Sequence, residues 1–469
     1  MRKSKRRDEG SQPVALPSRN GSAADPNEGK AGGGPLQPPE TAGAKVGKAV
    51  GALDRRSLVA GSAALLGGIA AVGALLRGGS AGAKEWPVPT NPMKVPGRPI
   101  GLEDGYGTRS QFETAARWRF PTPNDRASFS LTPLADSQGI VTPSGLHFER
   151  HHNGIPTIDP ATHKLLIHGM VERPLTFTVE QLRRFPCESR LLFIECSGNS
   201  FTEWKHPAIM KNVQGTHGLT STSEWAGVPL STLLREVGVK PGAGWILAEG
   251  RDAAGMTRSV PLTKAWNDVL VAYGQNGEAL RPEQGYPLRL IVPGWEGNIH
   301  IKWLRRLEIG AAPYMTREET SKYTDLLADG RARQFTFMME AKSVITYPSG
   351  EMQLDEPGFH EIAGIAWTGR GRVRRVEIST DGGRHWQLAQ LEAPVLPICH
   401  TRFRFPWRWD GREAILQSRC TDETGYTQPT RRQLIAVRGD NGRFGSLYHF
   451  NGIQSWKVNR DGSVENVDA

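Results

Sequence analysis

A series of short apolar runs separated by turn residues, toward the carboxyl end, restricts the fold more than any other feature. Such alternation with Gly-, Pro- and Asp-rich connections is typical of antiparallel strands. The predicted strands are Gly358–Trp367, Val373–Ser379, Trp386–Leu391, Thr401–Trp407, Glu413–Cys420 and Arg432–Val437. Asp381-Gly382-Gly383 between two of them indicates a hairpin turn. We therefore predict an immunoglobulin-like β-sandwich over residues 335–440 and a C-terminal tail over 441–469.

A chain of 469 residues is too long for one hydrophobic core, so a second domain is expected before the sandwich. Strand and helix patterns are mixed there. His163–Gly169 is predicted to be a strand, and Thr178–Phe185 a helix that Thr178 caps. Further strands are predicted at Gly244–Glu249, Asp268–Tyr273 and Leu288–Val292. The predicted order is an extended arm over 84–145, an α+β domain over 146–315 and a connection over 316–334.

A polar turn follows one of the most apolar predicted strands. Arg190–Glu195 is a buried-type strand that ends at Cys196-Ser197-Gly198-Asn199. A Gly-containing turn directly after a buried strand is a position at which folds present side chains to ligands. The sequence therefore places a candidate site at Cys196.

The chain has four cysteines, at positions 187, 196, 399 and 420, and none belongs to a Cys-x-x-Cys pair, a haem attachment motif or an iron–sulfur spacing. Cys187, between a proline and a glutamate, is interpreted as structural. Cys399 and Cys420 lie on neighbouring predicted strands, and sequence alone leaves open whether they form a disulfide.

The first 83 residues account for most of the chain's charge excess. They hold 12 Lys and Arg against 6 Asp and Glu, which leaves 46 against 42 for the rest and argues against nucleic-acid binding. Residues 1–54 have the composition of a disordered leader. Arg55-Arg56 before a run of small apolar residues, with Ala81-Gly82-Ala83 after it, resembles a twin-arginine export signal over 55–83. The alternative is an uncleaved membrane anchor.

Four motifs occur in the order and spacing of the sulfite oxidase family, and the chain resembles that family over residues 100–440. The motifs are Phe148-Glu149-Arg150-His151-His152, Cys196-Ser197-Gly198-Asn199, Gly285-Tyr286-Pro287-Leu288-Arg289 and His300-Ile301-Lys302-Trp303. The resemblance implies an α+β molybdopterin-binding domain of sulfite oxidase type, followed by an immunoglobulin-like sandwich that serves as dimerisation domain.

The resemblance also implies roles for individual side chains. Cys196 would supply the thiolate ligand of molybdenum, a soft ligand suited to this metal. The residues expected to bind the molybdopterin cofactor are Phe148, Arg150, His151, His152, Asp252, Arg289, His300 and Lys302. Arg150 and Tyr323 are the expected catalytic residues, for holding an anionic substrate and for assisting proton-coupled electron transfer.

Several positions depart from sulfite oxidases. Ser200 and Phe201 follow the cysteine turn, and Asn451 lies near the end, where that family commonly has arginines. These departures and the ending Phe450–Lys457 are similar to the molybdenum subunits of sulfane dehydrogenases. That likeness implies oxo transfer at molybdenum to a sulfane sulfur on a sulfur-carrier protein, electron transfer to a dihaem cytochrome c subunit, a homodimer and a periplasmic location.

Two other interpretations remain open at this point. A periplasmic sulfite dehydrogenase would use the same cofactor on free sulfite, with an anion pocket built from residues such as Arg109 or Arg258. A cofactor-free binding module would use the sandwich as its interaction surface, because the fold alone does not determine a function.

Overall fold

The computed structural model describes residues 105–119, 122, 124–205, 209–327, 329–439 and 448–468. The predicted leader, the predicted export signal and the beginning of the predicted arm, up to residue 104, lie outside those residues. The described part of the arm is mostly irregular. Its strands β1 (Trp118–Arg119) and β2 (Phe129–Leu131) form a small sheet with β3 (Glu149–Arg150), which carries the first predicted site motif.

The first domain contains two five-stranded sheets. Its strands are β4 (Lys164–Gly169), β5 (Leu175–Thr178), β6 (Glu188–Glu195), β7 (Thr220–Pro229), β8 (Trp245–Gly250), β9 (Thr257–Pro261), β10 (Leu270–Gln275), β11 (Glu278–Ala279), β12 (Arg289–Ile291) and β13 (Leu304–Gly310). One sheet has the order β5-β4-β13-β8-β9, and the other has β11-β10-β7-β6 with β12 beside β10. Within them only β13 and β4 pair in parallel.

Short helices connect these strands and confirm the α+β class. They are α1 (Val179–Leu182), α2 (Val213–His217), α3 (Leu230–Val237) and α4 (Leu262–Asn267). The predicted cap of α1 is present: the Thr178 hydroxyl accepts the Gln181 N–H at 3.1 Å, and Gln181 Oε1 accepts the Thr178 N–H at 2.8 Å. Helix α3 buries its apolar face in the core of this domain.

The second domain is a sandwich of two antiparallel sheets, reached through α5 (Arg317–Ser321), β14 (Asp325–Leu326) and β15 (Ala332–Arg333). Its elements are β16 (Lys342–Tyr347), β17 (Gly358–Trp367), β18 (Val373–Ser379), β19 (Gln387–Leu388), β20 (Gln390–Leu391), β21 (Thr401–Trp409), β22 (Ala414–Asp422), α6 (Arg431–Arg438), β23 (Ser455–Val458) and β24 (Val464–Val467). The sheet orders are β16-β17-β21-β20 and β19-β18-β22-β23-β24. Trp367, Phe403 and Trp456 are fully buried in this domain's core.

Two predictions for the second domain are wrong. Arg432–Val437 is not a strand but most of α6, because a short apolar run does not distinguish helix from strand. The Thr430 hydroxyl accepts the Gln433 N–H at 3.3 Å, and this capping box begins the helix. Residues 441–469 are not merely a tail, since β23 and β24 extend one sheet of the sandwich.

The cysteines of the sandwich are not bonded to each other. Cys399 and Cys420 are buried free thiols, and Cys187 is an exposed one. Among the helices of the described residues, none has the length and apolar character needed to cross a membrane.

Three buried histidines outside the candidate site should make the fold acid-sensitive. Burial lowers the pKa of His147 and of His400 from the usual 6.5 to about 3, and the pKa of His217 well below 6.5. Below pH 6.5 the unfolded chain therefore binds protons that the folded chain excludes. The free energy of unfolding should fall with falling pH by roughly 1.4 kcal/mol per pH unit for each histidine.

Urea unfolding at pH 7, 6 and 5 tests this expectation. The variant His400→Gln should show a pH slope that is smaller by about one proton than the wild-type slope. Equal slopes for the variant and the wild type would contradict the assignment.

Candidate active site

One cleft brings together all ten side chains that the sequence predicted as catalytic, cofactor-binding or metal-ligating. It has about 650 Å³ of empty volume, part of it open to solvent. The ten are Phe148, Arg150, His151, His152, Cys196, Asp252, Arg289, His300, Lys302 and Tyr323. They come from segments nearly 180 residues apart in sequence, so the fold and not local sequence assembles them.

Cys196 follows directly after β6, at the end of the ladder between β6 and β7. Its N–H donates to Leu219 O at 2.9 Å, and its carbonyl accepts the Asn199 N–H at 2.9 Å, which closes the predicted turn. The Asn199 side chain accepts the Leu219 N–H at 3.0 Å and fixes the turn to β7. Burial raises the pKa of the Cys196 thiol, and the nearby charge of Arg150 opposes that shift.

Two cations, the buried Arg289 and the partly buried Lys302, form one wall of the cleft. Arg289 and Lys302 lie opposite each other in an antiparallel bridge. Arg289 Nη1 donates to the backbone and side-chain oxygens of Gln284 at 3.1 and 2.9 Å, and burial lowers its pKa to about 9. Within the described residues neither cation is at ion-pair distance from a carboxylate. Because a buried charge is costly without a partner, this wall is suited to an anion.

Lys302 also holds the first motif against the wall. Its Nζ donates to Arg150 O and His151 Nδ1, each at 2.9 Å, and to Glu283 O at 3.1 Å. Burial lowers the pKa of Lys302 well below its usual value, and Arg289 lowers it further. On its other side the His151 ring contacts Glu149 Oε2 at 2.8 Å. Burial, followed by the charge of Lys302, lowers the pKa of His151 to about 4.

A second group surrounds Tyr323. The Tyr323 hydroxyl lies 3.4 Å from His152 Nε2. Burial and then Arg150 lower the pKa of His152 to about 3, while burial raises the pKa of Tyr323 above its usual value. Tyr323 is thus the proton donor of this pair and His152 the acceptor.

The two arginines proposed for another anion pocket lie elsewhere. Arg258 is fully buried 5.1 Å over the Tyr323 ring and 3.7 Å from Glu319, and its guanidinium has no hydrogen bond within the described residues. It does not line the cleft. Arg109 is exposed and binds carbonyl oxygens of Glu113 and Ala115 in the arm.

Three predicted cofactor residues are engaged with their own surroundings. The His300 ring accepts the Val292 N–H at 3.4 Å and lies 3.2 Å from Trp295 O, so both ring nitrogens contact the backbone. Asp252 accepts the Met256 N–H at 3.1 Å and caps its own turn. Phe148 stacks on His147 at 5.1 Å. Their side chains shape the cleft wall more than they offer free donors.

The sequence reasoning did not single out several residues that line the cleft. Gln284 connects Arg289 to Phe148 O, and Glu149 contacts His151. Asn298 Nδ2 donates to Glu296 at 2.9 Å, while its Oδ1 is buried without a partner in the described residues. Gln284 and Glu149 adjoin or belong to recognised motifs, which is the signal that could have found them.

The cleft offers a soft metal ligand in Cys196 and two cations for an anionic group, as an oxidoreductase that carries a molybdopterin cofactor would require. Residues 152–317 match the oxidoreductase molybdopterin-binding domain, and residues 333–454 match the Mo-co oxidoreductase dimerisation domain. The chain belongs to the sulfite oxidase family of molybdopterin oxidoreductases. This assignment excludes the interpretation of the chain as a cofactor-free binding module.

Individual relatives differ in their reactions. The chain is 46% identical to the sulfane dehydrogenase SoxCD from Paracoccus pantotrophus, with a TM-score of 0.77 over 80% of this chain and 96% of that one. It is 29% identical to the mitochondrial sulfite oxidase of Rattus norvegicus over 72% of this chain, and 31% identical to the nitrate reductase of Hordeum vulgare over 64%. The chain spans 66% and 38% of those two curated relatives.

The residues present fit the molybdopterin cofactor that the family implies. The Arg289 Nε is buried without a hydrogen-bond partner in the described residues, beside the partly buried Lys302 ammonium. An anionic phosphate would satisfy both groups. The Cys196 thiol lines the same cleft and is a soft ligand for molybdenum.

Proposed function

We propose that this chain is the molybdenum subunit of a sulfane dehydrogenase. Its substrate would be a sulfane sulfur attached to a sulfur-carrier protein, and its electrons would pass to a dihaem cytochrome c subunit. The observation that carries the proposal is the 46% identity to SoxCD across 96% of that chain. Identity at this level over nearly a whole chain supports a shared reaction more strongly than the 29–31% shared with sulfite oxidase and nitrate reductase.

The surroundings of the cleft support a substrate other than a small dianion. Phe201 lies with its ring 6.2 Å from that of Tyr448, and Tyr448 is 5.7 Å from Tyr323. Asn451 is buried and donates to Ala341 O and the Tyr426 hydroxyl. Phe201 contributes a ring and Asn451 an amide where sulfite oxidases commonly have arginines. The aromatic cluster suits a larger substrate with apolar parts.

The side chains of the cleft have different roles in the proposed reaction. When bound, the molybdenum cofactor supplies oxygen-atom transfer and stores two electrons. Cys196 would be its protein ligand, with Arg289 and Lys302 binding its anionic end. Arg150 attracts the negative charge of the substrate, and Tyr323 keeps its proton and directs its hydroxyl toward His152 Nε2 at 3.4 Å.

The partners and the location follow from the same proposal. The dimerisation-domain match supports a homodimer through the sandwich, and the SoxCD likeness supports a cytochrome c subunit as electron acceptor. Export to the periplasm by the twin-arginine route would bring the folded, cofactor-loaded chain to that cytochrome.

A periplasmic sulfite dehydrogenase is the second candidate, favoured by the cations near the cleft. Burial is the largest cause of the low pKa of His152, and four nearby cations lower it further: Arg150, Lys302, Arg317 and Lys322. A positive field therefore surrounds this ring. Such a field would also attract free sulfite.

Turnover of both substrates by the same purified, molybdenum-loaded protein decides between the candidates. We expect reduction of a cytochrome c acceptor with a carrier cysteine that bears a sulfane sulfur, at a kcat/KM at least about tenfold above that with sulfite. A difference of tenfold corresponds to about 1.4 kcal/mol of transition-state discrimination. A preference for free sulfite would establish the second candidate instead.

A further inference from the structure

A buried ion pair joins the two domains directly beside Cys196. Glu195 is the last residue of β6, and Lys342 is the first residue of β16 in the sandwich. Lys342 Nζ lies 2.9 Å from Glu195 Oε1, and the two side chains are 1% and 0% exposed. Although 147 residues separate the partners in sequence, they meet behind the cysteine turn.

Further hydrogen bonds enclose this pair. Trp367 Nε1, also from the sandwich, donates to Glu195 Oε2 at 2.6 Å. Asn199 Nδ2 donates to Glu195 Oε1 at 2.9 Å, and Lys342 Nζ donates to Asn199 O at 3.2 Å. Glu195 and Asn199 are the residues at the two ends of the turn that carries Cys196. The sandwich therefore holds both ends of that turn.

Stability alone does not account for such a pair. Well-packed apolar residues of similar volume commonly stabilise a core as well as a buried ion pair does, or better. A buried pair with several directed hydrogen bonds does fix the relative position of the groups it joins. The position fixed here is that of the candidate metal ligand, and no catalytic role of the cleft uses Glu195, Lys342 or Trp367.

We propose that Lys342 and Trp367 are positioning residues that, through Glu195 and Asn199, set the direction in which Cys196 presents its sulfur. The second domain then has a role inside each subunit, in addition to any role in dimerisation. This inference rests on the proposed function only in taking Cys196 as the molybdenum ligand. It does not depend on which sulfur compound is oxidised.

The first test compares Lys342→Met and Trp367→Phe with wild type in the molybdenum-loaded protein. The Phe variant keeps an aromatic ring, and it removes the N–H that Glu195 accepts together with part of the buried indole volume. We expect kcat to fall about 10- to 100-fold, as for other residues that orient a metal ligand, with KM changed less than about twofold. The Mo(V) electron paramagnetic resonance spectrum after chemical reduction should shift, because it reports the geometry of the thiolate.

Arg438→Met is the matched control. Arg438 is 4% exposed and pairs with Asp325 at 3.3 Å, so its loss also breaks a buried ion pair between the connection and the sandwich. It does not line the cleft. This variant should lose stability and keep the wild-type spectrum and kcat. Folded Lys342→Met and Trp367→Phe proteins with the wild-type spectrum and kcat would overturn the proposal, as would an Arg438→Met spectrum that shifts equally.

A second readout needs neither metal nor substrate. In cofactor-free protein, the rate of Cys196 alkylation by iodoacetamide is measured against that of the exposed Cys187 in the same chain. Trp367→Phe should raise the Cys196 rate several-fold relative to Cys187, and an unchanged ratio would overturn the proposal. If Lys342→Met does not fold, the same readouts are taken from Trp367→Phe and from the double variant Glu195→Gln/Lys342→Met, and these two variants decide whether the proposal holds. A wrong substrate assignment would leave the spectrum and the alkylation result unaffected.

Discussion

Replacing Cys196 with serine should reduce turnover more than about 100-fold, beyond the usual effect of losing a group that only orients a metal ligand. The thiolate is the soft protein ligand that the cleft offers to molybdenum, and a serine hydroxyl is a harder ligand that ionises much less readily. Arg289 and Lys302 remain in the variant, so the pterin should still bind. Metal and pterin analysis should therefore find pterin in the variant near the wild-type amount. Reduction of cytochrome c should show that the activity is lost.

Cys187→Ser is the matched control, because Cys187 is an exposed thiol that does not line the cleft. It should retain the wild-type molybdenum content and turnover. Activity of Cys196→Ser within a few-fold of wild type would contradict the assignment of Cys196 as the molybdenum ligand, whichever substrate is used.

Local patterns were sufficient for much of the fold. The predicted bounds Gly358–Trp367 and Val373–Ser379 coincide with β17 and β18, because turn residues delimit both apolar runs. The same reasoning gave the wrong element at Arg432–Val437, where a capping box at Thr430 selects a helix. It also missed β16, β23 and β24, whose pairing depends on strands far away in sequence.

The site was predictable where its residues fall in contiguous motifs. Arg150, Cys196, Arg289 and Lys302 each lie at or beside a strand end, and the fold brings these ends to one cleft. The pairing of Glu195 with Lys342 was not predictable, because neither residue carries a local sign of the other. Contacts over such separations are decided by the tertiary fold.

Replacing Arg150 with methionine should lower kcat/KM about 100-fold, comparable to the loss of one donor that stabilises charge in a transition state. The charge of Arg150 acts on Cys196, His152 and Tyr323, lowering the pKa of each, so its guanidinium lies at the centre of the cleft's field. After burial, Arg150 is the largest cause of the low pKa of His152, about 3. Its removal should therefore raise that pKa.

The pH dependence separates this role from a purely structural one. His152 accepts a hydrogen bond from the Tyr323 hydroxyl only when it is neutral, so a higher His152 pKa should move the acid limb of the kcat/KM profile toward higher pH in Arg150→Met. Arg317→Met is the matched comparison, because Arg317 also acts on His152 but its side chain is 61% exposed and screened by solvent. We expect less than about a threefold loss there and no shift of the acid limb. Equal losses in the two variants would mean that the cleft needs only a diffuse positive field and not Arg150 itself.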